Sequence, residues 1–102
     1  MMAMKPFDAV SQKDGDGHVV SVTGELDMAT APALESCLKP LDGAVTLDCS
    51  GLTFMDSRGI SLLVQTHLRL EEGGGQLTIA ALPSSCRRVL EVMNLDEVLH
   101  LA

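Results

Sequence analysis

Residues 44–72 read AVTLDCSGLTFMDSRGISLLVQTHLRLEE. The apolar run Ala44–Cys49 has the length of a strand and reads as buried. The chain then passes through Ser50-Gly51 and Leu52-Thr53-Phe54-Met55 to a polar knot, Asp56-Ser57-Arg58-Gly59. Beyond it Ile60, Leu63, Val64 and Leu68 recur at helical spacing, which predicts a helix from about Ser57 to Glu72. Ser57 is thereby set where a strand hands over to a helix, among the free N–H groups of the helix start. Three roles fit a serine there: a helix cap, a nucleophile, or a residue that other proteins modify.

Upstream, Phe7–Val10 and His18–Thr23 read as strands. The joint Lys13-Asp14-Gly15-Asp16-Gly17 carries two Asp-Gly pairs, a strong hairpin signal. Gly24-Glu25-Leu26-Asp27 closes the second strand. Thr30 is placed to cap a first helix, with Pro32 in the first turn where a missing N–H costs nothing. Ala31, Leu34, Leu38 and Leu41 make its apolar stripe, and Pro40 with Gly43 ends it.

Downstream, Gly73-Gly74-Gly75 stops the long helix. Gln76–Leu82 reads as a strand, and Pro83-Ser84 opens a helix with Cys86, Val89, Leu90 and Met93 on one face. Asn94 is a left-handed cap, with Leu95 placed to fold back on the helix end. Asp96–Ala102 suffices for one turn or a short strand. The order is β-β-α-β-α-β-α, and the strand–helix–strand unit over residues 44–82 demands parallel strands and a right-handed crossover. The expected architecture is α/β, a single domain over residues 1–102 with its core at about 6–99. It has a mixed four-stranded sheet with one antiparallel edge hairpin, packed with about four helices.

Composition narrows the function. A chain of 102 residues, 46% hydrophobic, can bury one core and is not wholly disordered. Its longest apolar runs are a few residues, so no membrane insertion is expected. MMAMKPF is too short for a signal peptide's apolar region, and the expected compartment is the cytoplasm. Cys37, Cys49 and Cys86 lie far apart inside apolar patterns and read as buried, reduced thiols. The odd count and the lack of a CxxC argue against a disulfide framework. His18, His67 and His100 are scattered, with no metal-ligand spacing to any cysteine, so neither a metal site nor a cofactor is expected.

The net charge of −7, with two Phe and neither Tyr nor Trp, disfavours nucleic acid and anionic membranes as partners. The charge is uneven. Residues 1–56 hold three Lys against nine Asp or Glu, and residues 57–102 hold four Arg against five. An acidic first half suits a basic partner surface.

Catalytic motifs are missing. Gly73-Gly74-Gly75 precedes a strand and lacks the Lys-Ser or Lys-Thr of a phosphate loop. Ser57 is not in a Gly-x-Ser-x-Gly context and has no histidine placed as a base. Asp48 and Asp56 could bind a divalent metal, but two carboxylates eight residues apart are a weak signal. Helix capping accounts for Asp56 and Ser57 but leaves Gly59 unexplained. A glycine in the first turn of a long helix costs about 0.5–1 kcal/mol relative to alanine. Without a Cβ, it would let another backbone or side chain come close to Ser57.

Gly24-Glu25-Leu26-Asp27, followed by Leu47-Asp48-Cys49-Ser50-Gly51-Leu52-Thr53-Phe54-Met55-Asp56-Ser57-Arg58-Gly59, resembles the STAS domain of the bacterial anti-sigma factor antagonists. Gly74-Gly75-Gln76-Leu77 and Val89-Leu90-Glu91-Val92-Met93-Asn94-Leu95 resemble its later segments, so the likeness covers roughly residues 6 to 99. The resemblance implies a non-enzymatic partner switch. Unphosphorylated, the protein would bind an anti-sigma factor that is also an ATP-using serine kinase, and so release a sigma factor. Phosphorylation of Ser57 would end that complex, and a metal-dependent serine phosphatase would restore it. The implied partner surface comprises Glu25, Asp27, Thr30, Asp56, Ser57, Arg58 and Gly59, on a monomer or weak dimer. The alternative is a STAS subunit of a membrane phospholipid-transport complex, docking through the same face without phosphorylation.

Overall fold

The computed structural model describes residues 6–102. The reading of MMAMKPF falls largely on residues 1–5, outside that range. Five strands and three α-helices follow in order: β1 (Asp8–Asp14), β2 (Gly17–Leu26), α1 (Ala31–Leu38), β3 (Ala44–Met55), α2 (Ser57–Glu72), β4 (Gln76–Ala80), α3 (Ser84–Val92) and β5 (His100–Leu101). A single 3-10 turn, Leu95–Glu97, lies between α3 and β5. The sheet order is β1-β2-β3-β4-β5, with β1 antiparallel to β2 and the other neighbours parallel.

This is the expected α/β architecture with one strand added. The fifth strand is two residues of the C-terminal segment, held by the pairs Thr78↔His100 and Ile79↔Leu101. Each crossover steps the same way across the sheet, so right-handed connections put all three helices on one face. Burial agrees with that two-layer arrangement. Val20, Val22 and Leu26 on β2 and Val45, Leu47 and Cys49 on β3 are buried, while Ser21, Glu25, Thr46 and Asp48 between them are exposed or half-buried. The core closes with Leu34 and Leu38 from α1, Ile60, Leu63 and Leu70 from α2, and Leu90 from α3.

Several local expectations shift. β1 extends through Asp14, so the hairpin loop is only Gly15-Asp16. β3 does not stop at Cys49 but runs to Met55, because irregularities in its pairing with β2 absorb Ser50-Gly51 within one strand. α1 stops at Leu38, leaving Leu41 buried beyond its end.

α2 has the expected bounds, but Leu68 is 54% exposed, while the polar Thr66 and His67 are buried. On α3, Cys86 and Leu90 are buried while Val89, and Met93 at its C-cap, are exposed, because no element among the described residues covers that flank. Cys49 and Cys86 are buried free thiols, whereas Cys37 is only partly buried. Asn94 takes the left-handed conformation (φ 59°), as expected for a cap.

Candidate functional site at the start of helix α2

Strands β2 and β3 run parallel and end together, at Leu26 and Met55. The carboxyl edge of a parallel sheet is where open α/β folds present their sites. The next residue after β3, Asp56, donates its N–H to the Leu26 carbonyl at 3.0 Å, which extends the sheet by one more bond. Asp56 is extended (φ −103°, ψ −175°), and its Oδ1 accepts from the N–H groups of Arg58 (2.9 Å) and Gly59 (3.1 Å). Asp56 is therefore the cap. Its own carbonyl takes the Ile60 N–H at 3.0 Å.

Ser57 is the first helical residue, exposed, and takes no part in the cap. The close approach permitted by Gly59 is made by Leu26 rather than by anything near the Ser57 hydroxyl. A Cβ built on Gly59 would lie 2.7 Å from Leu26 Cγ and 3.1 Å from the Leu26 carbonyl oxygen. Gly59 thus lets the start of α2 seat directly on the end of β2.

The other half of the expected surface comes from the β2–α1 connection. Thr30 occupies the N-cap position of α1, but its hydroxyl makes no cap. It turns back, accepting from the Asp27 N–H at 2.9 Å and donating to the Glu25 carbonyl at 2.7 Å. Asp27 Oδ1 in turn accepts from the N–H groups of Ala29 (3.0 Å) and Thr30 (3.1 Å). This small lattice holds Glu25–Thr30 in one shape, with Glu25 pointing its charge into solvent.

The Leu26–Asp56 bond and the Leu26–Gly59 contact bring the two segments side by side. The resulting edge carries three carboxylates, Glu25, Asp27 and Asp56, and one guanidinium, Arg58. It also carries two large apolar side chains absent from the sequence-based surface, Met28 (74% exposed) and Phe54 (47%). Phe54 lies opposite Glu25 in the β2–β3 register. A single exposed apolar residue has no periodic signature, so neither stands out in the sequence pattern.

The groove beside Arg58, lined also by Ala31, Glu35, Ser61, Leu62 and Gln65, holds about 20 Å³. Small-molecule sites are usually of the order of 300–1,000 Å³. The groove beside Arg58 is far smaller than that. The histidines stand away from it. His18 is at the far end of β2, beside Val45 at the start of β3, and His67 lies about 15 Å along α2 from Ser57 at 1.5 Å per residue.

At that far end the structure makes a grouping the sequence had not suggested. One donor atom each from His67, Glu71 and His100 lie within 4.8 Å of one another. The sequence signal for it is the one-turn spacing of His67 and Glu71, which a His-to-Cys spacing does not reveal.

Residues 9–101 match the family described as "Mlab, STAS domain". An anti-sigma-B factor antagonist of Staphylococcus aureus (strain NCTC 8325 / PS 47) is 33% identical over 87 residues, covering 81% of this chain and 81% of its own. Among solved structures, an anti-sigma factor antagonist from Mycobacterium paratuberculosis has a TM-score of 0.85 at 29% identity, covering 97% of this chain and 89% of that one. SpoIIAA, an anti-sigma factor antagonist solved in its unphosphorylated form, shares the fold with a TM-score of 0.77 at 20% identity, over 95% of this chain and 88% of its own. The phosphorylated form of SpoIIAA, a Bacillus cell fate determinant, has a TM-score of 0.71 at 20% identity, over 95% of this chain and 91% of its own. No helix among the described residues is long and apolar enough to cross a membrane. Matched over residues 9–101, with relatives named as anti-sigma factor antagonists, the chain belongs to the STAS-domain family.

Proposed function

We propose that this chain is an anti-sigma factor antagonist controlled by phosphorylation of Ser57. The observation that carries the reading is the separation of roles at the start of α2. Asp56 supplies the cap, so the exposed Ser57 is left free for another protein to modify. In this reading the unphosphorylated protein binds a cytoplasmic anti-sigma factor that is itself an ATP-using serine kinase, and a metal-dependent serine phosphatase reverses the modification. The partner meets Glu25, Asp27, Thr30, Asp56, Ser57, Arg58 and Gly59, with Met28 and Phe54 as apolar anchors. The chain itself catalyses nothing; it is the substrate.

The physical basis is electrostatic. A phosphate on Ser57 adds about −1.5 to −2 charge. The helix dipole favours an anion there, so the fold tolerates it. The amides of Arg58 and Gly59 are already bound to Asp56. The new charge therefore stands beside a carboxylate and projects outward, toward whatever docks. Like charge added to an interface weakens binding without unfolding the domain.

The test pairs phosphorylation with binding. A cognate anti-sigma factor kinase, incubated with ATP and the protein, should label the wild type and leave Ser57→Ala unlabelled. By calorimetry Ser57→Ala should bind that kinase as the wild type does, and Ser57→Asp at least tenfold more weakly. Labelling of Ser57→Ala at the wild-type level would overturn the site. Equal binding by all three, with no labelling of the wild type, would favour docking to a membrane-transport partner without a switch.

A further inference from the structure

We propose that His67, Glu71 and His100 form a binding site for a divalent transition-metal ion of the zinc type. The site would pin the C-terminal strand β5 to the end of helix α2. His67 and Glu71 are one turn apart on α2 and so share a face. His100 belongs to β5, whose pairing with β4 brings it beside that face. The His67 and His100 rings stand 5.5 Å apart, centroid to centroid, at 58°. His100 Nε2 is 3.7 Å from Glu71 Oε2.

Two imidazoles and a carboxylate are a donor set that suits zinc and its neighbours and does not suit magnesium or calcium. The second observation is His67 itself. It is 7% exposed, and among the described residues its Nδ1 is enclosed without a hydrogen-bond partner. A buried polar atom in that condition is destabilising, and an ion is one of the few things that explains it.

The geometry is open but close. Bonds of about 2.0–2.1 Å in a tetrahedral site hold donor atoms roughly 3.4 Å apart. Here they lie within 4.8 Å of one another. Closing the site needs movements of about an ångström, within the reach of side-chain rotation. Glu71 and His100 are free to make them, since their side chains are 44% and 46% exposed. Three protein ligands leave a fourth position for water. Without such an ion, β5 is held by two residue pairs, the bond from the Ala102 N–H to the Ile79 carbonyl at 2.8 Å, and the packing of Leu101 against the core. A metal would thus add a further anchor to the shortest strand of the sheet. It would do so at the opposite end of α2 from Ser57, and independently of the switch proposed there.

The experiment is a titration of zinc chloride into metal-stripped protein carrying no histidine tag, followed by calorimetry and thermal unfolding. The expected result is one zinc per chain. The Tm should rise by on the order of 10 °C once zinc exceeds its Kd about a hundredfold. X-ray absorption should show nitrogen and oxygen ligands at about 2.0 Å with no sulfur. His100→Ala and Glu71→Gln should each weaken binding at least tenfold, and magnesium and calcium should leave the Tm unchanged. If His67→Leu folds, it should bind no zinc at this site; if it does not fold, the two exposed variants decide. Absence of a zinc-dependent Tm rise, binding that survives His100→Ala and Glu71→Gln unchanged, or sulfur in the first shell would each overturn the site.

Discussion

The two arginines on helix α2 show how differently its two ends are built. Near the C-terminus, the Arg69 guanidinium donates to the carbonyls of Leu38 and Leu41, both at 3.0 Å, and reaches Asp42 at 3.4 Å. It serves as a brace for the α1–β3 connection. The chain beyond it is equally committed, for Gly75 returns its N–H to Leu70 at 2.8 Å and Gln76 donates to Gly43 at 3.0 Å. At the other end Arg58 is exposed and forms no ion pair among the described residues, and Ser57 beside it is equally uncommitted. Only Asp56 and Gly59 there are tied to the fold. One end of the helix uses its polar groups internally, and the other leaves Ser57 and Arg58 exposed.

The sharpest way to break this contrast is to injure the committed end. A Cβ on Gly75 would collide with the carbonyl oxygen of Gly43, a backbone atom that cannot swing away. Gly75→Ala should therefore lose about 3 kcal/mol or more, the size typical of severe backbone clashes. Urea unfolding measures it. The fraction still folded should bind the partner normally, because the Ser57 end is untouched. A loss under about 0.5 kcal/mol would show that the connection yields and is not a brace.

Alkali probes the buried layer beneath both ends. Burial, then Asp48 and then Cys86, push the Cys49 thiol up to about 12. In the unfolded chain the same thiol ionises near its ordinary value of about 8.5. Between those values the unfolded state has released a proton that the folded state keeps. Stability is thus whole below the unfolded value and falls as pH rises through the window. The slope is about 1.4 kcal/mol per pH unit from this group. Cys49→Ala should lower stability at neutral pH by leaving a small cavity, yet flatten the alkaline slope. An unchanged slope would mean that the thiol reaches water.

At the Ser57 end, single substitutions should cost less. Gly59→Ala gains about 1 kcal/mol of helix propensity but drives a methyl into Leu26, for a net loss of about 1–2 kcal/mol. Asp56→Ala should lose about 1 kcal/mol with the cap, and Asp56→Asn much less because asparagine caps as well. Both are read from denaturant midpoints.

These sites also mark how far the sequence was legible. The β3-to-α2 junction was readable because its signals are local: an apolar run, a capping aspartate, and a 3.6-residue period to Glu72. The length of β3 was not, because Ser50-Gly51 looks like a break in one dimension. Its irregularity is absorbed only by pairing with β2, where Gly51 sits against Thr23. Periodicity states what a helix could bury and not what is there to cover it. Hence Leu68, Val89 and Met93 fit an apolar stripe and are exposed. β5 is too short to have a period at all. Of the candidate site, Asp56 and Ser57 were visible locally. That Gly59 exists for Leu26, and that Thr30 binds backward and not forward, are facts of tertiary placement.

The smallest expected effect on stability is at Ser57, and it separates function from fold most cleanly. Ser57→Ala removes a hydroxyl that caps nothing, so it should move stability by less than about 0.5 kcal/mol. Ser57→Asp places an anion at the first helical position, where the dipole contributes about 0.3–1 kcal/mol, reduced by repulsion from Asp56. It should unfold no earlier than the wild type in a urea titration, while binding the partner far less well. A loss above about 1 kcal/mol in either variant would place Ser57 on the structural side of the helix with Arg69. Unchanged or improved stability together with lost binding would mean that charge at this one exposed hydroxyl acts on the interface alone. That is what a modification site must do if the same fold is to be used again after the phosphate is removed.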